Sequence, residues 1–292
     1  MEKKIGALVV LYNPDYDNFI SALKALEPQV DGVCIVDNSI VSHSRWFDGN
    51  SKVLYVSMGK NVGIAAAQNV GISKLHEAGY RYVLFSDQDS IAFPDLVDRL
   101  YTAHRQLSLA GIAVATVGCQ AIDTATGYRY DSRNVKTIRE FTLGERRYVH
   151  VDYVQSSMSL TSMETLRLVG GMDEALFIDG VDSEWCWRAF SKQGLKTLLV
   201  PDAAIYHTLG HGGHMVFHKF VTIPASFRMF YQYRNYFWLL RRNYVPLRWK
   251  IRNGIKYIVK VPYYSLLCKP RVENLKCIFH GAYSGIFTIP KS

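Results

Sequence analysis

Four apolar runs of strand length, set between helix-period segments, leave this 292-residue chain few folds to choose from. Ile5–Leu11 is followed by a segment in which Phe19, Ile20, Leu23 and Leu26 share one helical face. Val33–Val36 and Val53–Ser57 read as the second and third strands, and residues 81–86 as the fourth. Between the last two, the spacing predicts a helix from Ile64 to Ala78, stopped by Gly79. This βαβα order implies an α/β fold with a mostly parallel central sheet and helices on both faces. Polar clusters follow three of the strands: Tyr12-Asn13, Asp37-Asn38 and Asp87-Gln88-Asp89. Ligands of open α/β sheets bind beyond the carboxyl ends of the strands, so the three clusters are expected to converge on one site.

Beyond Gly118 the pattern loosens into a polar excursion that lasts to about Gly144. A strand is expected over Tyr153–Leu160, a helix over Met163–Val169, and strands again over Leu195–Val200 and Ala204–Tyr206. Apolar residues make up 49% of the chain, enough for a sizeable core. The N-terminal apolar run is short for a signal sequence, and no stretch of 18 apolar residues predicts a membrane span. Five scattered cysteines without CxxC spacing indicate neither a disulfide framework nor a zinc knuckle, and the expected location is cytoplasmic.

Charge divides the chain in two. From His218 onward there are 14 Lys/Arg against the single acid Glu273, together with 16 of the 38 aromatic residues. Residues 1–217 carry 20 basic and 24 acidic side chains. The expected organisation is an α/β domain over 1–216, in two parts over about 1–118 and about 119–216. A basic, aromatic helical extension over 217–292 completes it.

Four segments carry chemistry. Asp87-Gln88-Asp89 offers two hard carboxylates just past a buried strand, a donor set for Mg²⁺ or Mn²⁺ with substrate phosphates completing the shell; the ordinary alternative is a turn or helix cap. In the segment from Asn61 to Gly71, Gly63 opens a helix whose free N–H groups can meet a diphosphate, or an Asn simply caps it. The segment Phe177 to Arg188 holds Asp179, Asp182 and Glu184 among aromatics, where a desolvated carboxylate can act as a general base. Glu184 and Arg188 stand at i, i+4 and can instead pair. Of His207, His211 and His214, the first follows a strand and is the one expected to join the cation; the other two read as loop residues.

Residues 5 to about 210 resemble family 2 glycosyltransferases with the GT-A fold, most closely their bacterial rhamnosyltransferases. The resemblance is carried by Val9–Pro14, Val36–Ser39, Asn61–Gly71, Ser86–Ser90 and Phe177-Ile178-Asp179 with Asp182-Ser183-Glu184-Trp185, in matching order and spacing. It implies an inverting transfer from a nucleotide-sugar donor, dTDP-β-L-rhamnose or alternatively a UDP-sugar. The acceptor would be a saccharide or lipid-linked saccharide of bacterial surface polysaccharide synthesis. By the same resemblance Asp37 would bind the base, with Tyr12 and Asn13 in its pocket. Asn61, Gly63 and Asn69 would lie along the diphosphate, and Asp87 would touch ribose or metal. Asp89 and His207 would complete the Mg²⁺ or Mn²⁺ site. Asp182 falls at the catalytic-base position, Glu184 and Trp185 at the acceptor side, and Arg234, in an Arg-Asn pair, would reach diphosphate or acceptor. The family's usual Glu-Asp pair is Val181-Asp182 here.

The basic, aromatic tail suits peripheral binding to the anionic inner face of a membrane, or a helix pair packed on the catalytic domain. No nucleic-acid-reading motif accompanies the charge. A nucleotidyltransferase would want a Gly-rich, basic loop after the first strand, where Tyr12-Asn13-Pro14-Asp15 stands instead. A non-catalytic scaffold of a polysaccharide assembly is the reading of another class; it is disfavoured by the presence of Asp89 and Asp182.

Overall fold

A computed structural model describes residues 3–123, 137–207, 213–216, 219–222 and 224–290. In chain order the first half forms β1 (Ile5–Leu11), α1 (Tyr16–Leu26), β2 (Gly32–Asp37), β3 (Val53–Ser57), α2 (Ile64–Glu77), β4 (Tyr82–Asp87), β5 (Ile91–Ala92) and α3 (Leu96–Leu109). There follow β6 (Val114–Asp123), β7 (Thr137–Leu143), β8 (Arg146–Val151), β9 (Ser159–Ser162), α4 (Met163–Val169), α5 (Val181–Gln193) and β10 (Lys196–His207). A two-stranded pair, β11 (Gly213–Val216) and β12 (Lys219–Thr222), precedes α6 (Ser226–Leu240), α7 (Leu247–Pro262) and α8 (Arg271–Phe287).

The main sheet runs β3-β2-β1-β4-β9-β6-β10-β8-β7, with the short β5 paired to β10. β3, β2, β1 and β4 are mutually parallel, and β6 and β10 are parallel to each other. β9 runs antiparallel between β4 and β6. The period of two in β1 and β4 divides the core. Ile5, Ala7, Val9 and Leu11 join Tyr82 and Leu84 beneath α1 and α3, whereas Leu8, Val83 and Phe85 face α2, α4 and α5. Each such fully buried aliphatic side chain contributes about 1.5–3 kcal/mol. These layers aim the ends of β1, β2 and β4 at one edge, as the sequence pattern implies.

The strand expected over Tyr153–Leu160 is corrected: the strand is β9, and residues 153–158 form a loop. Met158 takes φ 53°, which ends the extended run, and its N–H donates to Phe85 O at 2.7 Å. That hook sets Ser156 and Ser157 beside the end of β4.

The C-terminal helices are built onto this body. Trp238, Leu239, Val245 and Trp249 pack in the same cluster as Leu8 and Trp185. α8 crosses α6 on glycines: a Cβ on Gly281 would stand 2.3 Å from Phe230 O, and one on Gly285 2.7 Å from Arg234 O. Because those obstacles are backbone, Gly281→Val must push the helices apart. It is expected to lower the unfolding free energy by about 1–3 kcal/mol, read as a lower urea midpoint; an unchanged midpoint would show that the crossing is loose.

Candidate active site

Two adjoining cavities, of about 550 Å³ and about 320 Å³, share Ile64, Asp87, Ile178 and Arg228 and so form one cleft. The smaller is lined by Tyr12, Asn38, Asn61, Gly63, Gln88 and Asp89 at the ends of β1, β2 and β4. The larger holds Asp179 and Asp182 with Tyr153, Ser156 and Ser157, and is walled by α6 and α7. Asp87 stands on the boundary.

Asp87 lies deep in the cleft yet keeps a face open to it. Burial, then the charges of Asp182 and Asp89, push its pKa up to about 7, against the Ser157 hydroxyl and Arg228. Burial likewise raises Asp182, with the charge of Asp179 adding and hydrogen bonds from Ser156 opposing. Asp179 takes φ 61° and accepts from Arg228 Nη2 at 2.6 Å and Nε at 3.1 Å. Asp87, Asp89, Asp179 and Asp182 crowd around Arg228, so this end of the cleft keeps unspent negative charge.

Several residues expected to touch a ligand are committed elsewhere. Asp37 has no exposed surface; it accepts from the N–H groups of Ser39 and His43, each at 3.0 Å, and from the Tyr55 hydroxyl at 2.6 Å. Burial opposes its ionisation, but the hydrogen bonds from Tyr55, Ser39 and His43 together hold its pKa below the ordinary value. In this state it shapes the loop after β2. Asn13, at φ 44°, donates its N–H to Ser39 Oγ at 2.9 Å and is fixed by that same loop. Tyr12 is open to solvent, with its backbone N–H held by Gln88 Oε1 at 2.9 Å. Asn61 accepts from Asn38 Nδ2 at 2.9 Å on the cavity wall.

The helix opening at Gly63 differs from expectation. Its first N–H groups are taken: Ile64 N donates to Phe177 O at 2.7 Å and Ala65 N at 3.4 Å. Gly63, at φ 86°, is required because a Cβ there would lie 2.7 Å from that same carbonyl oxygen. Asn69 does not reach the cleft lining; its amide clamps Met172 N and O at 2.7 and 3.0 Å and donates to Glu174 Oε1 at 2.8 Å. Arg234 donates to Ala175 O at 2.7 Å and Leu176 O at 3.1 Å and lies 4.1 Å from the Trp238 ring centroid, so it straps a loop.

The acceptor-side assignment of Glu184 and Trp185 is corrected. Glu184 is 1% exposed, paired with Arg188 Nε at 2.8 Å and Arg242 Nη1 at 3.1 Å, and accepts from the Tyr244 hydroxyl at 2.6 Å. Trp185 is buried, its indole N–H on Gly170 O at 2.8 Å. Glu184, two residues on, points away from the face of α5 that carries Asp182, and Trp185, one turn on, is covered by the core. Tyr206 pairs with Ile91, which brings the backbone of His207 to the turn after Asp89; its side chain lies outside the described residues, as does His211.

The profile of Glycosyl transferase family 2 matches residues 9–167. The chain belongs to that family. The dTDP-rhamnosyl transferase RfbF of Shigella flexneri is 31% identical over 299 residues, 98% of this chain and 96% of that protein. The low-salt glycan biosynthesis hexosyltransferase Agl10 of Haloferax volcanii is 23% identical over 63% of this chain and 61% of its own length. Among solved structures, S. aureus TarS 1–349 with UDP-GlcNAc superposes with a TM-score of 0.54 at 15% identity, over 95% of this chain and 79% of that one. GalNAc-T7 with UDP, GalNAc and Mn2+ gives 0.54 at 11% identity, over 91% of this chain and 57% of that one. At such identities the likeness is one of fold, and the fold is GT-A.

In this glycosyltransferase the cleft also uses residues that the motifs did not single out: Arg228, Ser156 and Ser157. Arg228, Gln232, Asn235 and Leu239 recur at helical spacing and all line the larger cavity. That periodicity was a usable signal. The buried pairing of Glu184 generates a prediction. Glu184→Gln leaves Arg188 without its carboxylate partner, while Arg242 keeps Asp173, and a loss of about 3–5 kcal/mol of stability is expected, measured by denaturant unfolding. A variant as stable as the parent would mean that Glu184 is free to face a ligand.

Proposed function

We propose that this family 2 glycosyltransferase moves L-rhamnose from dTDP-β-L-rhamnose, with inversion, to a saccharide or lipid-linked saccharide of a bacterial surface polysaccharide. The observation that carries the donor reading is the 31% identity to a dTDP-rhamnosyl transferase over nearly the full length of both chains. The smaller cavity takes the nucleotide side and the larger the acceptor, with Asp182 as the base that removes the acceptor hydroxyl proton. Its buried surroundings and the neighbouring Asp179 favour proton uptake, which suits that role. Arg228 pairs with Asp179 on the wall of that cavity. Asn61, Tyr12 and the loop held by Asp37 frame the nucleotide.

A divalent cation fits the donor set. Asp87 and Asp89 are hard ligands, and the negative charge that raises the proton affinity of Asp87 is charge that a cation relieves. No group of three His, Cys, Asp or Glu side chains closes on a metal among the described residues, so phosphate and water would complete the shell. When bound, Mg²⁺ or Mn²⁺ would neutralise charge on the departing diphosphate.

Release of nucleotide from a panel of dTDP- and UDP-sugars tests the donor: turnover of dTDP-L-rhamnose with loss in excess EDTA is expected. A preference for a UDP-sugar overturns the rhamnosyl reading, and full turnover in EDTA overturns the metal. Asp182→Asn should lower turnover by about 10²–10⁴-fold with donor affinity nearly unchanged. Because the base works deprotonated and its pKa is raised, the parental rate should climb with pH through a midpoint above 3.8, the ordinary Asp value. A rate flat with pH down to that value would remove Asp182 from the role.

The C-terminal helices support a peripheral place on an anionic membrane. Ile251, Ile255, Ile258 and Val259 of α7 and Phe279, Tyr283, Ile286 and Phe287 of α8 are exposed, each set at one-face spacing. Exposed Arg248, Lys269, Arg271 and Lys276 accompany them. No helix among the described residues is long and apolar enough to cross a membrane. Vesicles with anionic lipid should bind the protein at low salt and release it at high salt, each basic side chain adding roughly 1 kcal/mol. Equal indifference to neutral and anionic vesicles would leave these faces without a lipid partner.

A further inference from the structure

The larger cavity is acidic at one end only. Asp87, Asp179 and Asp182 lie where β4, the 156–157 loop and α5 meet, and α7 brings Lys256 and Lys260 to the same space. The two lysines are one helical turn apart, so their charges repel. Neither side chain makes a hydrogen bond or ion pair with another described residue. Lys260 lies 5.2 Å from the Tyr264 ring centroid and 6.0 Å from that of Tyr257. The acid that bears on it, Asp179, is already held by Arg228 at 2.6 Å. Aromatic walls at Trp249 and Tyr257 complete this end.

Two like charges on one cavity wall, neither of them in an ion pair, repel each other alone and are both satisfied around an anion. We propose that Lys256 and Lys260 form an anion subsite of the acceptor cavity, selecting acceptors that carry a phosphate or carboxylate beyond the sugar to be modified. The inference rests on the larger cavity being the acceptor side. Burial, then the charge of Lys256, lowers the pKa of Lys260 to about 8, a cost that a bound anion would reverse. The acceptor would then lie along an electrostatic gradient, its hydroxyl toward Asp182 and its anionic group toward α7.

Calorimetric titration with inorganic pyrophosphate in excess EDTA tests the subsite without requiring turnover. Wild type and Asp89→Ala should bind alike, since neither depends on a cation there. The double variant Lys256→Gln/Lys260→Gln should bind about tenfold or more weakly while keeping the parental melting temperature and affinity for the nucleotide-sugar donor. Wild-type affinity in the double variant, or no binding by wild type, overturns the subsite. Competition by geranyl diphosphate or by trigalacturonate distinguishes a diphosphate ester from a carboxylated sugar. Displacement of pyrophosphate by either supports the proposal, and displacement by neither overturns it. Failure of the rhamnosyl reading would appear separately, as donor turnover absent or redirected with pyrophosphate binding intact.

Discussion

Three carbonyl oxygens, those of Leu176, Ile178 and Asp179, surround the side-chain nitrogen of Asn235 at 2.7–2.9 Å. On this cluster the geometry of the cleft depends. The turn it holds contains two non-glycine residues with positive φ, Phe177 and Asp179, which short polar contacts must keep in place. Phe177 O in turn receives the first N–H groups of α2, and its ring stacks on Tyr231 at 4.5 Å. One turn therefore fixes α2, α5 and α6 relative to one another. It also delivers Asp179 to Arg228 and Asp182 to the cleft. The strap by Arg234 on Ala175 and Leu176 extends the same hold by one residue. Since Asn235 is buried, replacing it with an apolar residue of similar size would take this donor from the carbonyls of Ile178 and Asp179, while Leu176 O keeps Arg234 and Ile178 N.

The second constraint is electrostatic. Hydrogen bonding lets Asp37 stay ionised at 0% exposure, because every lone pair that burial strips of water finds an N–H or O–H. Asp87 has no such set of donors, and its acidity is weakened accordingly. The difference separates satisfied from unsatisfied carboxylates more sharply than sequence position does. Both residues end parallel strands of one sheet, yet one is satisfied by its own loop and the other faces the cleft. Glu184 belongs with Asp37: its charge is spent on two arginines and a tyrosine hydroxyl.

Much of the fold was legible in the sequence because it is written in local periodicity. The bounds of β1, β3 and α4 match the apolar runs residue for residue, and the polar clusters do meet at the strand ends. The loop over 153–158 was not legible, since its apolar residues Tyr153, Val154 and Met158 mimic a strand while the bond from Met158 N to Phe85 O, on a partner 73 residues away, bends it. Residue roles were legible only where a side chain's partner is near in sequence, as in the Glu184–Arg188 pair. Asn69 and Arg234 take partners more than fifty residues away, which no spacing rule reveals. Arg228 stands on the helical face it shares with Asn235, six residues before the Arg-Asn pair, and only periodicity marks it.

Helix α7 carries the last step of the argument. Trp249, Tyr257 and Val261 pack against core clusters, and Asn253, Tyr257 and Lys260 line the cavity, whereas residues 251, 255, 258 and 259 are exposed. Both sets obey the same helical period, offset around the axis, so α7 carries apolar side chains on two faces. A surface helix ordinarily keeps one apolar stripe, turned to the core. Packing and the cavity account for the inner face. The outer apolar set points away from the protein, which is why the charge and apolar character of this tail, ambiguous as composition, become directional once the helix is placed.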